Sequence, residues 1–263
     1  MCLTPISVNK RTVPCGNCAV CRQQHRAAWA FRLDQEAFVS PVSLFVTLTY
    51  EDNNLLYAND DTPVLNYPDL RNYMKKLRKK GLKFKYFAVG EYGEKRHRPH
   101  YHVLFFLKEV IHNDLIFRSE WSFGHIHVKV MNHANIRYCL KDMLKFKGAY
   151  SHLEKEFRPQ IRVSHGMGID YLKKRKNYHK VNAFDVPLGL PLQGKPSNLL
   201  PRYYRNKIYS NFELSLQGLK MQYSALERVR LNPENPCDSK IYYQKVDQLN
   251  KRSQAIRHAG KKL

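Results

Sequence analysis

The stretch from residue 84 to residue 107 constrains the fold of this chain more than any other. It holds two apolar runs, FKYFAVGEYG (84–93) and HYHVLFFL (100–107), on either side of the charged segment EKRHRP. Aromatic and β-branched runs around a short polar segment predict the two strands of a hairpin. The strands should pair antiparallel, and the second should continue into a buried core.

Further strands and helices are predicted on both sides of this hairpin. VSLFVTLTY (42–50) and GHIHVKVM (124–131) are typical of strands. YPDLRNYMKKLRKK is typical of a helix with one apolar face, and HNDLIFRSEW and NHANIRYCLKDMLKF should also be helical. This order predicts an α+β fold with an antiparallel sheet, helices mainly on one face, and a ferredoxin-like plan.

Composition divides the chain into three segments. Residues 1–40 are rich in cysteine, residues 41–175 hold the predicted sheet, and residues 176–263 form a basic, partly helical extension. Within that extension, residues 206–230 have a helical period. No run approaches the ~20 apolar residues of a membrane span, and the N-terminus resembles no secretory signal. We therefore expect an intracellular protein with reduced cysteines and no membrane partner.

The chain is strongly basic. Lysine and arginine number 45 against 22 aspartates and glutamates, a formal net charge of +23. Most of the basic runs are interleaved with tyrosine or phenylalanine, as in KFKYF and PRYYRNK. Cations neutralise phosphates and aromatic rings stack on bases, so the mixture favours a nucleic-acid partner over an anionic membrane surface.

Two histidines begin the second strand of the hairpin. His100 and His102 should point to one face of the strand and Tyr101 to the other. The preceding strand ends near Glu91 and Glu94, and either carboxylate could reach the same face. Such a set suits Mg²⁺ or Mn²⁺, although Zn²⁺ is also possible. The alternative is two half-exposed histidines and solvated turn glutamates without a role.

A second His-x-His pair occurs at His125 and His127. No GEYG-like hairpin precedes it. We interpret GHIHVKV as an ordinary strand with polar residues on one face, and we assign the metal to the first pair.

A helix downstream supplies a candidate nucleophile. Tyr138, Lys141 and Lys145 are spaced i, i+3 and i+7, hence on one helix face. A phenol that attacks phosphorus needs a nearby cation to favour the phenolate and steady the phosphate, which Lys141 could provide. The alternative is a packed tyrosine beside two solvated lysines.

The N-terminal cysteines have the spacing of a metal site. Cys15, Cys18 and Cys21 form a C-x-x-C-x-x-C run, and Cys2 or His25 could be a fourth ligand. Thiolates at this spacing commonly bind a structural Zn²⁺. Unmetallated thiols and an iron–sulfur cluster are the alternatives.

Together these motifs resemble the HUH endonuclease superfamily, with FVTLTY, PHYHVLFF and YCLK as its three motifs in order. VPCGNCAVCRQQ, GEYGEKRHRPHYH, RYCLK, VSHGMGIDYL and LPRYYRNK further resemble the replication initiators of gokushovirus-type microviruses. These are small single-stranded DNA phages, and the matching segments run from residue 2 to about residue 207.

The resemblance implies a rolling-circle replication initiator that nicks and later rejoins phage origin DNA. Tyr138, assisted by Lys141, would form a 5′-phosphotyrosine and leave a 3′-OH primer. His100, His102 and Glu91 would hold the metal. Host helicase and polymerase would be partners in the host cytoplasm. We further expect four side chains to contact DNA: Thr47, Thr49, Arg98 and Lys145.

The chain departs from the resemblance at one position. Related initiators often carry a second tyrosine four residues after the first, and here that residue is Asp142. A second cleavage would need a nucleophile from another copy, from a tyrosine such as Tyr150, or from a 3′-OH.

Two other functions fit parts of the sequence. A plasmid initiator, relaxase or transposase would keep the HUH chemistry. A non-enzymatic nucleic-acid binder on a ferredoxin-like sheet would need exposed sheet aromatics, and ribonucleoprotein motifs are absent from the sequence.

Overall fold

A computed structural model describes residues 2–8, 11–59, 61–111, 113–141, 150–181, 189–192, 195–214 and 251 of the chain. They fall into two units, one containing Arg32–Gly168 and the other Met1–Phe31 with the described part of Ile169–Ile256. The three-segment division at residues 40 and 175 stays a prediction.

The secondary structure follows the order expected around the central hairpin. The strands are Ile6–Val8 (β1), Arg11–Val13 (β2), Val42–Thr49 (β3), Leu56–Tyr57 (β4), Pro63–Val64 (β5), Phe84–Tyr92 (β6), Pro99–Leu107 (β7), Ile126–Val130 (β8), Ile161–Val163 (β9), Gly189–Leu192 (β10) and Lys195–Leu199 (β11). The helices are Ala19–Val39 (α1), Tyr67–Lys79 (α2), Leu115–Ser119 (α3), His133–Cys139 (α4), Asp170–Val181 (α5) and Arg202–Ile208 (α6).

A five-stranded antiparallel sheet organises the unit of residues 32–168. Its order is β8-β3-β7-β6-β9, with every neighbouring pair antiparallel. Strands β3 and β6 therefore run in the same direction, with β7 between them and α2 connecting them. This split βαβ arrangement is the one that a ferredoxin-like plan requires. The predicted α+β class with an antiparallel sheet is confirmed, and β9 is an added edge strand that was not predicted.

Helices cover both faces of this sheet, so the expectation of helices mainly on one face was wrong. Helices α2 and α3 pack on one face, where Phe117 contacts the ring of Phe105. Helix α4 and the end of α1 lie on the other face, where Phe87, Leu104 and Phe106 are buried. A strand covered on both sides is apolar without alternation, as VLFFL in β7 is.

The face under α2 is an aromatic core. The apolar stripe predicted for α2 is buried there, and Tyr101 points into it, as predicted. Tyr50 donates a hydrogen bond to the Tyr101 hydroxyl over 3.4 Å, and Tyr67 and Trp121 pack edge-on against the Tyr101 ring. Because Tyr101 is anchored on this side, its two histidine neighbours are directed to the opposite face.

A buried ion pair joins α1 to β6 on that opposite face. The Lys85 ammonium lies 2.7 Å from the Glu36 carboxylate, and both side chains are largely buried. Glu36 also accepts a hydrogen bond from the Gly168 amide, and Lys85 donates to the Gly166 carbonyl. Both glycines have positive φ, which only glycine adopts readily. The pair thus fixes the loop of the VSHGMG motif.

The other unit is built around α5 and α6. An aromatic cluster includes Tyr171, Tyr204 and Tyr209. Helix α6 ends at Ile208, because Tyr209 is extended and donates a hydrogen bond to the His179 carbonyl. The helical period predicted over 206–230 is therefore interrupted at this point, and its remainder from residue 215 lies outside the described residues. No helix in the described part of the chain is both long and apolar enough to span a membrane.

Candidate active site

The hairpin register places a carboxylate between two imidazoles. Glu91 of β6 lies directly opposite His100 of β7. One carboxylate oxygen, Oε2, is 3.9 Å from His100 Nε2 and 3.5 Å from His102 Nε2. The three candidate ligand atoms all lie within 4.8 Å of one another. The predicted juxtaposition of Glu91 with the histidine pair is therefore present, whereas Glu94 is exposed on the hairpin loop.

Both imidazoles use Nδ1 for contacts with the protein. His100 Nδ1 lies 3.1 Å from the Arg98 carbonyl, and His102 Nδ1 lies 3.1 Å from Thr47 Oγ1. These contacts turn each Nε2 toward Glu91, as in metal-binding histidines whose second nitrogen is held by the protein. Among the described residues, His102 Nε2 is buried without a hydrogen-bond partner. A buried nitrogen of this kind calls for an explanation, and a bound cation supplies one.

The electrostatic surroundings keep His102 neutral. Burial lowers the pKa of His102 to about 3, and the charges of His100, Lys141 and Lys129 act in the same direction. In the tautomer with the proton on Nδ1, the ring donates to Thr47 and leaves the Nε2 lone pair available. The contact of Nε2 with Glu91 is thus a pair of electron donors, and no ion pair forms.

The donor set fits a divalent cation. Two neutral imidazoles and one carboxylate provide both the nitrogen ligands that transition metals accept and the oxygen ligand that Mg²⁺ and Mn²⁺ prefer. Within the described residues this triad is one of two groups that could hold a metal ion. His125 and His127 belong to neither group, and His127 is exposed on the neighbouring strand β8.

Helix α4 brings Tyr138 to the same face of the sheet. Asn132 and Asn135 form a reciprocal capping box that fixes the start of this helix. The Tyr138 ring then lies edge-on to the His102 ring, with centroids 4.9 Å apart, and also contacts Phe45. The side chain is 39% exposed, so the phenol is accessible.

Lys141 connects the tyrosine with the carboxylate. Its ammonium lies 3.8 Å from the centre of the Tyr138 ring and 3.3 Å from Glu91 Oε1. The two oxygens of Glu91 are thus divided, one facing the imidazoles and the other facing Lys141. The charge expected beside the phenol is present, although it lies over the ring.

These groups border a cleft of about 550 Å³. Its lining includes Glu91, His100, Tyr138 and Lys141, together with Thr49 and the residues of the hairpin loop. The remaining charged residues of the lining are Glu94, Lys95, Arg96 and Arg98. Four cations against two carboxylates make the cleft suited to a phosphate chain.

The structure separates the residues expected to contact DNA. Thr49 and Arg98 line the cleft, where such contacts are possible. The Thr47 hydroxyl is engaged with His102, a supporting contact that the sequence analysis missed. The cross-strand pairing of Thr47 with His102 would have shown it, but the pairing of β3 with β7 was not predicted. Lys145 and Asp142 lie outside the described residues.

The cysteine cluster is a second group of donors, in the other unit. The sulfur atoms of Cys2, Cys15, Cys18 and Cys21 lie within 4.8 Å of one another. Cys2 thus completes the group, and His25 accepts a hydrogen bond from Trp29.

Comparisons with known proteins agree with one another. The sequence profile of the family described as replication-associated protein ORF2 matches residues 43–147, which include the triad and Tyr138. Replication-associated protein ORF2 of Spiroplasma virus 4 is 30% identical over 218 residues, 75% of this chain and 68% of that protein. No solved structure matches the chain.

Two further relatives come from other phages. Replication-associated protein ORF4 of Chlamydia phage 1 is 27% identical over 60% of this chain and 45% of its own length. Replication-associated protein VP4 of Bdellovibrio phage phiMH2K is 26% identical over 73% of this chain and 66% of its own length. The chain therefore belongs to the family of microvirus replication-associated proteins that these three phage proteins represent.

Proposed function

We propose that the protein initiates rolling-circle replication as an HUH endonuclease. It would nick phage origin DNA, single-stranded or melted, and later rejoin the strand. The observation that carries this proposal is the convergence of Glu91, His100, His102 and Tyr138 in one cation-rich cleft.

The chemistry assigns a different role to each side chain. The phenolic oxygen of Tyr138 attacks the scissile phosphorus and loses its proton, and the bond from phosphorus to the 3′ oxygen breaks. The products are a 5′-phosphotyrosine and a free 3′-OH, so the phosphoester is conserved for rejoining. Lys141, beside the phenol ring, neutralises the phosphate as it approaches. A Mg²⁺ or Mn²⁺ ion held by the triad would polarise the scissile phosphate when bound.

The fold and the relatives support the HUH assignment in its phage form. Two ligands lie on a central strand of a ferredoxin-like sheet, and the tyrosine lies on a helix packed over the same face. The relatives are replication-associated proteins of phages, which favours this role over a plasmid initiator, relaxase or transposase. Host polymerase and helicase would extend the 3′-OH in the host cytoplasm.

The decisive experiment is a cleavage assay with the full chain. Labelled single-stranded oligonucleotides that tile both strands of the encoding genome are incubated with Mn²⁺, with Mg²⁺ or with a chelator. We expect one oligonucleotide to give a denaturant-resistant protein–DNA adduct and a fragment that DNA polymerase can extend, only with metal. Tight binding without cleavage under every condition would instead indicate a non-enzymatic binder.

Thr47 offers a finer test of the triad. Thr47→Val keeps the side-chain shape but removes the oxygen that His102 Nδ1 contacts. Loss of such a supporting hydrogen bond typically weakens metal binding by about 10- to 100-fold. We expect a fall of this size in Mn²⁺ affinity, measured by calorimetry, with DNA binding in chelator unchanged.

Thr49→Val is the matched control, because its hydroxyl donates to the His125 carbonyl and contacts no triad residue. The control should keep its Mn²⁺ affinity. If Thr47→Val instead weakened DNA binding and left Mn²⁺ affinity unchanged, Thr47 would be the DNA contact that the sequence analysis expected.

A further inference from the structure

Four cysteine sulfurs meet where the N-terminal hairpin joins the first helix. Cys2 precedes β1, Cys15 follows β2, and Cys18 and Cys21 lie just before and within the first turn of α1. Cys2 Sγ lies 3.5 Å from Cys15 Sγ and 3.8 Å from Cys18 Sγ. Three chain segments therefore contribute to one cluster.

These spacings are those of ligands to a single ion. Zn–S bonds of about 2.3 Å in a tetrahedron place the sulfurs about 3.8 Å apart. The observed separations lie on either side of this value, and none exceeds 4.8 Å. In an iron–sulfur cluster the cysteines bind different irons, so their sulfurs must spread around several atoms. The compact arrangement favours one mononuclear centre.

The surroundings of Cys15 suit a thiolate. Its sulfur accepts hydrogen bonds from the amides of Asn17 and Cys18, over 3.3 and 3.2 Å, and from the Thr4 hydroxyl. Hydrogen bonds to a charged acceptor are stronger than those to a neutral one. Gly16, with φ of +69°, provides the left-handed turn that directs these amides back to the sulfur.

We propose that Cys2, Cys15, Cys18 and Cys21 bind one structural zinc ion that ties the N-terminal segment to the start of α1. Four protein ligands fill a tetrahedral zinc site and leave no open position for a substrate, so the role is structural. Binding would release the thiol protons to solvent.

The test measures metal content of the full chain purified without an affinity tag. We expect about one zinc per chain by elemental analysis. Cobalt substitution should give the thiolate-to-metal charge-transfer band and intense visible bands of a tetrahedral tetrathiolate site. Cys15→Ser and Cys18→Ser should lose the zinc and melt at a lower temperature.

Two variants separate this site from other cysteines and from the cleft. Cys139→Ala changes a buried cysteine of α4 and should keep the zinc. His102→Ala should also keep it, so that the result stands whether or not the nuclease proposal fails. If the cysteine variants do not fold, titration of the native chain with a mercurial should release one zinc for four thiols modified.

Three results would overturn the proposal. They are a metal-free chain with four titratable thiols, a disulfide between two of the four cysteines, and iron in place of zinc. Zinc that survives Cys15→Ser but is lost on His102→Ala would place the ion in the cleft and would equally refute it.

Discussion

Replacing Tyr138 with phenylalanine should abolish the covalent protein–DNA adduct and reduce nicking by several orders of magnitude. The change removes only the phenolic oxygen, so the ring keeps its contacts with His102 and Phe45. No bond to phosphorus can then form at this position. The measurement uses an origin oligonucleotide labelled at its 3′ end, because the downstream fragment carries the phosphate that stays on the protein.

Tyr150→Phe is the matched control for this prediction. Tyr150 packs against Tyr92, and its hydroxyl is the other candidate that the sequence analysis named. We expect Tyr150→Phe to form the adduct at the wild-type level and Tyr138→Phe to bind the oligonucleotide normally. Undiminished adduct in Tyr138→Phe would assign the nucleophile to a different tyrosine.

Removal of either imidazole should suppress cleavage almost as strongly. His100→Ala and His102→Ala each delete one of three candidate ligands, and loss of charge stabilisation at a phosphate costs several kcal/mol, hence orders of magnitude in rate. Mn²⁺ affinity, measured in the absence of DNA, should fall in both variants. The cleavage rate at saturating oligonucleotide gives the second readout.

His127→Ala tests whether the effect is specific to the triad. His127 lies on the same sheet, opposite Thr47, but it is exposed and outside the donor group. We expect its Mn²⁺ affinity and cleavage rate to match the wild type. Equal damage from His127→Ala would show that the metal lies elsewhere on the sheet.

Much of the fold follows from local patterns. The strands around the hairpin and the helix α2 were predictable because their apolar residues have the right period over eight or more positions. Strand β9 was missed because Ile161–Val163 is too short to show any period. The helices on the second face were missed for a different reason. Lys85 and Glu36 lie far apart in sequence, and no local pattern indicates that they pair.

The site was predictable to the extent that it lies within one hairpin. The i, i+2 spacing of His100 and His102 fixes their common face, and the short loop brings Glu91 beside them. The position of Tyr138 over His102 depends on how α4 packs, which helical spacing alone does not give. The role of Thr47 depends on the pairing of two strands that are distant in the sequence.

The position of β7 has a consequence for how the site binds its cation. This strand is hydrogen-bonded along both edges and buried on both faces, so its amides should be among the slowest in the chain to exchange with deuterated solvent. Two of the three donors thus belong to a region that opens only when the whole unit unfolds. A cation that arrives there has no loop to order, and little of its binding free energy is lost as conformational entropy.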